Sequence, residues 1–179
     1  MRHRRKGMLV GLLGTAVGAT LMLVGTVLAT DPLGLSLFPH GRATLDAFRL
    51  RQSNFRVISR EESGVVIGVL RIEVGGHTGW HTHPGPTFAT VAAGQVDLTV
   101  VNKDGSCTTT THGPDEGFAE GGGIVHIARN VGDAPALVYV TFLGLQPLEK
   151  SLDFEGIVRA VIDWSPPAPA GPGCDETSP

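Results

Sequence analysis

The sequence has little cysteine, modest charge and no acidic residue ahead of Asp31. Its two cysteines, Cys107 and Cys174, are too few for an all-thiolate zinc centre. His112 follows Cys107 by five residues, but no second pair accompanies it to make a mixed site. No Gly-x-Ser-x-Gly elbow, P-loop or dinucleotide fingerprint occurs, so the signatures of those enzyme classes are missing. No repeat of solenoid type is present. Basic residues form no stripe along the body. Setting aside Arg2, Arg4, Arg5 and Lys6 from the 14 Lys+Arg leaves 10 against 17 Asp+Glu. An acidic body without a basic stripe argues against a nucleic-acid partner.

What is abundant is glycine, at 25 of 179 residues, with 12 prolines and 41% apolar residues. That composition suits one domain of many short strands joined by tight turns. Residues 7–29 are uncharged and mostly apolar, and they follow the basic cluster that includes His3. Their length suits a single-pass membrane helix of about 20 residues. A cleaved secretory signal ending at Val27-Leu28-Ala29 is the alternative. Under either reading the basic cluster stays inside and the body is exported. Gly7-x-x-x-Gly11 and Gly14-x-x-x-Gly18 resemble helix-dimer motifs, which leaves a homodimer open.

Residues 31–41 are irregular and read as a linker. Residues 65–74 read as a strand, with Val66, Leu70, Ile72 and Val74 on one face. Residues 87–93 are β-rich, and Val96, Leu98 and Val100 alternate with polar residues. Lys103-Asp104-Gly105-Ser106 signals a hairpin, with 107–111 as its return strand. Residues 124–128 and 136–143 supply two more strands. Strands at this spacing suggest an all-β antiparallel barrel, jelly roll or sandwich. One helix is expected near the end, capped by Asp153 and carrying Phe154, Ile157, Val158, Val161 and Ile162 on one face. The expected organisation is an anchor or signal over 1–29, a linker over 30–45 and a barrel over 46–147. A short C-terminal helix within 148–164 and a disordered Pro/Gly-rich tail over 165–179 follow. For the cysteines, two independent thiols are the favoured reading, with a disulfide that would pin the tail to the barrel as the alternative.

The chemistry gathers in Gly75-Gly76-His77-Thr78-Gly79-Trp80-His81-Thr82-His83-Pro84-Gly85-Pro86-Thr87. On an extended strand, His81 and His83 point to the same side, so both imidazoles can address one metal ion. His126, in a second Gly-rich stretch, is the candidate third ligand. Three buried imidazoles would be costly to desolvate without an ion. Three protein ligands leave an open position for water or a small-molecule substrate.

The spacings resemble the two motifs of the cupin superfamily. Gly75, five residues, His81-Thr82-His83, three residues, Thr87, six residues and Gly94 match the first. Gly121, Gly123, His126 and Asn130 match the second. The resemblance covers about residues 65–145, and the Gly-Trp-His-x-His-Pro-Gly-Pro stretch is similar to that of small actinobacterial-type cupins. It implies a cupin-type β-barrel holding one divalent ion on His81, His83 and His126. The departures are Thr87 where the family carries glutamate, Gly121 where it carries proline, and Asp115 where it carries the opening glycine. Three neutral imidazoles alone would leave the ion at +2, which Fe, Zn, Cu or Ni tolerates best.

A three-histidine ion resembles that of cupin dioxygenases, so oxygenation of a small molecule is the first expectation. A non-catalytic metal- or ligand-binding module at the cell surface is the second, and a vestigial site the third. Among other residues, Glu120 reads as a surface glutamate, with replacement of the missing carboxylate as the alternative. His77 reads as a solvated loop residue, with an outer-sphere or substrate role as the alternative. His40 and His112 read as loop residues, and Trp80 is expected to pack at the barrel mouth. Tyr139 and Thr141 share a face that either points into the pocket or packs as ordinary strand.

Overall fold

Alternation of apolar and polar side chains sets the architecture. The computed structural model describes residues 30–166, 168–169, 171 and 173–174. Among these it forms ten strands and one helix. The strands are β1 (Leu33–Leu45), β2 (Phe48–Gln52), β3 (Phe55–Ser59), β4 (Ser63–His77), β5 (Thr87–Ala93) and β6 (Val96–Val101). They continue as β7 (Cys107–His112), β8 (Gly117–Glu120), β9 (His126–Asn130) and β10 (Ala136–Leu145), followed by α1 (Phe154–Val161). Eight strands make one antiparallel, barrel-like sheet in the order β7-β6-β9-β4-β10-β5-β8, with β1 added on β4. β2 and β3 form a separate hairpin.

Every second residue of the central strands turns inward. Val66, Leu70 and Ile72 on β4 face Phe142, Val138 and Ala136 on β10 as direct cross-strand partners. Ala89 and Val91 extend this core on β5. Tyr139, at the opposite parity, is 55% exposed, so it lies on the outer face and not in the pocket. Val74 departs from the alternation and is exposed. The pairing of β4 with β1 jumps there from Ile72 to His77, so residues 73–76 bulge out of register.

Two motif positions have structural explanations. Gly94 has φ +77°, and a Cβ there would lie 2.6 Å from the Ala136 Cα, so only glycine fits. Asn130 is buried and ties three backbone groups together. Its Nδ2 donates to the Ile72 and Ala134 carbonyls at 2.9 and 2.8 Å, and its Oδ1 accepts from Gly132 N at 2.9 Å. Asn130→Ala strands these buried groups and is expected to destabilise the domain by about 2–3 kcal/mol. Thermal melts should show the loss, with metal stoichiometry unchanged.

Three expectations are corrected. Residues 33–45, read as part of a linker over 30–45, pair with β4 along their length. Pro39 and Gly41 disguised this strand, and the register shifts between them. The tail is not free: Cys174 bonds to Cys107 on β7, with an S–S distance of 2.03 Å and Cα atoms 5.0 Å apart. The two independent thiols are therefore replaced by a disulfide. The expected N-terminal membrane or signal helix over 1–29 lies outside the described residues. Among the described residues, no helix is long and apolar enough to cross a membrane.

The helix is capped as the sequence indicates. Asp153 Oδ1 accepts from Gly156 N at 2.8 Å, and Ile157 and Val161 are buried against the barrel. Beyond α1 the chain pairs with the stretch that carries His81 and His83. Thr82 N donates to Asp163 O at 2.9 Å and Asp163 N returns to Thr82 O at 3.0 Å. Trp164 Nε1 donates to Thr78 O at 2.8 Å.

Candidate metal centre

Two separate segments bring the histidines together. Residues 81 and 126 pair as an antiparallel bridge: His81 N donates to His126 O and His126 N to His81 O, each at 3.0 Å. His83 lies two residues further along, on the same side. All three are buried, and one ligand atom from each lies within 4.8 Å of the others. This is the one group of three or more metal-ligating side chains among the described residues.

The ring orientations are fixed from behind. His81 Nδ1 lies 2.8 Å from Gly79 O, His126 Nδ1 lies 2.8 Å from Ile124 O, and His83 Nδ1 lies 2.7 Å from Val161 O. A carbonyl oxygen only accepts, so each Nδ1 carries the hydrogen. In its neutral form each ring then presents an Nε2 lone pair on its other side, and in its protonated form an Nε2–H donor.

Two of these lone pairs meet a carboxylate. Glu120, at the end of β8, has a side chain only 6% exposed. Its Oε1 lies 3.0 Å from His126 Nε2 and its Oε2 lies 3.4 Å from His83 Nε2. Read from sequence as a surface glutamate, it belongs to the buried cluster instead. The register explains how. β5 and β8 pair with Thr87 directly opposite Glu120, so both residues share one face. A carboxylate on the neighbouring strand thus stands beside Thr87.

Burial pushes the Glu120 carboxyl up, but hydrogen bonds and charge from His126 and His83 together outweigh it and bring it down to about 2. For His81, burial and then the neighbouring His126 and His83 hold the imidazole well below its usual value. The signs agree. His81 binds a proton less readily folded than unfolded, so its contribution is complete above about 6.5 and is lost as pH falls below that. Glu120 contributes fully above its ordinary 4.5, and that part is lost as pH falls from there toward 2. Melting of the metal-stripped protein between pH 8 and 3 should therefore fall first below about pH 6.5 and again below about 4.5. A melting temperature that stays flat from pH 7 to 4 would contradict this.

The donor set fits a divalent ion. The Nε2 atoms of His83 and His126 face a carboxylate at 3.4 and 3.0 Å, an arrangement that calls for a positive species between them, either ring protons or a metal ion. With metal–ligand bonds of about 2.1 Å, adjacent ligand atoms sit about 3.0 Å apart in an octahedron and about 3.4 Å apart in a tetrahedron.

The cluster lines a cavity of about 30 Å³ whose other walls are mostly apolar, including Leu70, Val140, Phe142 and Ile162. The remaining sequence candidates lie elsewhere. Trp80 is fully buried, with Arg129 stacked 5.9 Å from its ring, as expected of a packing residue. His77 Nδ1 accepts from Gly79 N at 3.1 Å and lies outside the cluster. His112 packs on Phe118 at 4.9 Å, and His40 is exposed.

Residues 68–142 match the cupin domain model. This segment is similar to a cupin domain. Both histidine motifs of the cupin domain, and Glu120 with them, fall inside the matched segment. No curated protein sequence matches the chain. Among solved structures, an oxalate oxidase is similar, with 20% identity, a TM-score of 0.42, and coverage of 45% of this chain and 41% of that one. A Bacillus halodurans protein matches at 22% identity and a TM-score of 0.43, covering 48% of this chain and 66% of that one. An oxalate decarboxylase from Bacillus subtilis matches at 16% identity and a TM-score of 0.42, covering 51% and 22%. The aligned part thus spans less than half of the oxalate oxidase chain.

Proposed function

We propose that the cupin domain is a metal-dependent enzyme that holds one divalent ion on His81, His83, His126 and Glu120 and acts on a small molecule at the ion's remaining position. The observation that carries this reading is the set of three ring orientations. Each Nδ1 is tied to a backbone carbonyl, and the Nε2 atoms of His83 and His126 face a buried carboxylate. An ion bound there would supply Lewis-acid activation of whatever oxygen or nitrogen group fills the open position. The chain's own residues do the rest. The carbonyls of Gly79, Ile124 and Val161 orient the ligands, and the apolar wall keeps bulk water out.

Glu120 also changes the charge of the centre. With a carboxylate in the shell, the loaded site carries +1 instead of +2. An anionic oxygen ligand admits harder ions such as Mn²⁺ alongside Fe, Zn, Cu or Ni. The dioxygenase expectation rested on a shell of three imidazoles alone, and that shell no longer singles out oxygenation. The test is metal analysis of protein purified without a nickel column. About one equivalent of a divalent metal supports the reading. No bound metal, together with no difference in a His81→Ala/His83→Ala double variant, sinks it. Turnover of any small molecule by the loaded protein separates enzyme from binding module.

The domain is also proposed to lie outside the cytoplasm on an N-terminal anchor. The Cys107–Cys174 disulfide supports an oxidising compartment, and the basic cluster ahead of 23 uncharged residues supports export. Recovery of an exported protein beginning at Thr30 would replace the anchor with a cleaved signal.

A further inference from the structure

Two buried side-chain atoms have no hydrogen-bond partner among the described residues: Trp80 Nε1 and Thr87 Oγ1. Trp80 does not border the metal cavity, but Thr87 does. It is 2% exposed, stands on β5 opposite Glu120, and shares with it the face that lines the histidine cluster. A buried hydroxyl left unpaired costs about 1–3 kcal/mol, so a chain that keeps one on a cavity wall has a partner for it. The other hydroxyl on that wall is already engaged. Thr78 Oγ1 donates to Gly79 O at 3.1 Å and accepts from Ala128 N at 2.9 Å. Thr87 is therefore the one cavity hydroxyl left to meet an incoming molecule.

Charge narrows what that molecule is. No lysine or arginine lines the cavity. A divalent ion with Glu120 carries +1, so a neutral or singly negative ligand leaves the centre positive or neutral. A dianion would leave uncompensated negative charge against an apolar wall, which is costly. Size narrows it further, because about 30 Å³ admits only a few non-hydrogen atoms.

Building on the metal site of the preceding subsection, we propose that the Thr87 hydroxyl donates a hydrogen bond to a small, neutral or singly charged ligand at the ion's open position. Position 87 thus exchanges a metal-ligand role for a ligand-recognition role, while Glu120 takes over the charge. Dicarboxylates are excluded from the cavity by the same balance.

The protein loaded with Co²⁺ tests this by its visible absorption. Azide serves as the small monoanion and oxalate as the dianion. Wild-type protein should bind Co²⁺, shift its bands with azide and give no ternary complex with oxalate at matching concentrations. Thr87→Val keeps the shape and removes the hydroxyl. It should bind Co²⁺ within about threefold of wild type, yet bind azide on the order of tenfold more weakly. Thr87→Ser should retain near-wild-type azide affinity and guards against a packing effect of valine. Unchanged azide affinity in Thr87→Val, a loss in Thr87→Ser as large as in Thr87→Val, or an oxalate complex as tight as the azide complex overturns the assignment. Failure of the wild-type protein to bind Co²⁺ overturns the metal site itself, and this inference with it.

Discussion

Glu120→Gln is expected to lower divalent-metal affinity by on the order of 100-fold or more. Loss of partners that merely orient metal ligands already costs about 10–100-fold, and Glu120 is placed to be a ligand itself. The substitution keeps the shape of the side chain but removes the negative charge facing His126 and His83 at 3.0 and 3.4 Å. The cross-strand register supplies a demanding control. Because Thr87 lies opposite Glu120 on the same face, the double exchange Thr87→Glu/Glu120→Thr returns the acid to the first motif. Affinity should recover by at least tenfold over Glu120→Gln alone. Titration calorimetry on metal-stripped protein reads both values. Wild-type affinity in Glu120→Gln would mean that the histidines bind the ion unaided and that Glu120 serves another purpose.

Removing the disulfide should have the largest effect on stability. Cys107 and Cys174 are 67 residues apart, and closing a loop of that length stabilises the fold by about 4 kcal/mol in the chain-entropy account. Cys107→Ser/Cys174→Ser is expected to lose most of that, read as a lower denaturation midpoint with an unchanged slope. The bond also lies on the same C-terminal segment that packs against the histidine cluster. Val161 O orients His83, and Asp163 pairs with Thr82. These contacts have their own support from α1, whose Ile157 and Val161 are buried in the barrel core. Metal affinity should therefore change by less than about threefold. A much larger loss would show that the tail, and not the helix, holds Val161 in place.

The histidines were legible because their signal is local. Two histidines sit on alternate residues, the third lies at motif spacing, and glycines mark the surrounding turns. Strands with clean alternation were legible for the same reason: β5 and β6 fall where the pattern sets them. Glu120 was not, because its role depends on which strand lies beside β5. β8 is only four residues long, too short for a periodic signal, and the Thr87–Glu120 register is a tertiary fact. Glu120 stands one strand to the side of Thr87, a distance of about 4.8 Å that no linear spacing records. Val161 contributes through its carbonyl, so no side-chain pattern could flag it. β1 was hidden by Pro39 and Gly41, which an edge strand tolerates at a register shift. The disulfide needed the distance between two segments, and a pair of cysteines in sequence carries none.

The most direct measurement is a crystal structure of the metal-loaded protein with anomalous scattering recorded at the metal edge. One peak should lie between the four side chains, about 2.0–2.2 Å from Nε2 of His81, His83 and His126 and from a Glu120 oxygen. A peak bound by the three histidines with Glu120 turned away, or no peak in the cluster at all, would contradict the account.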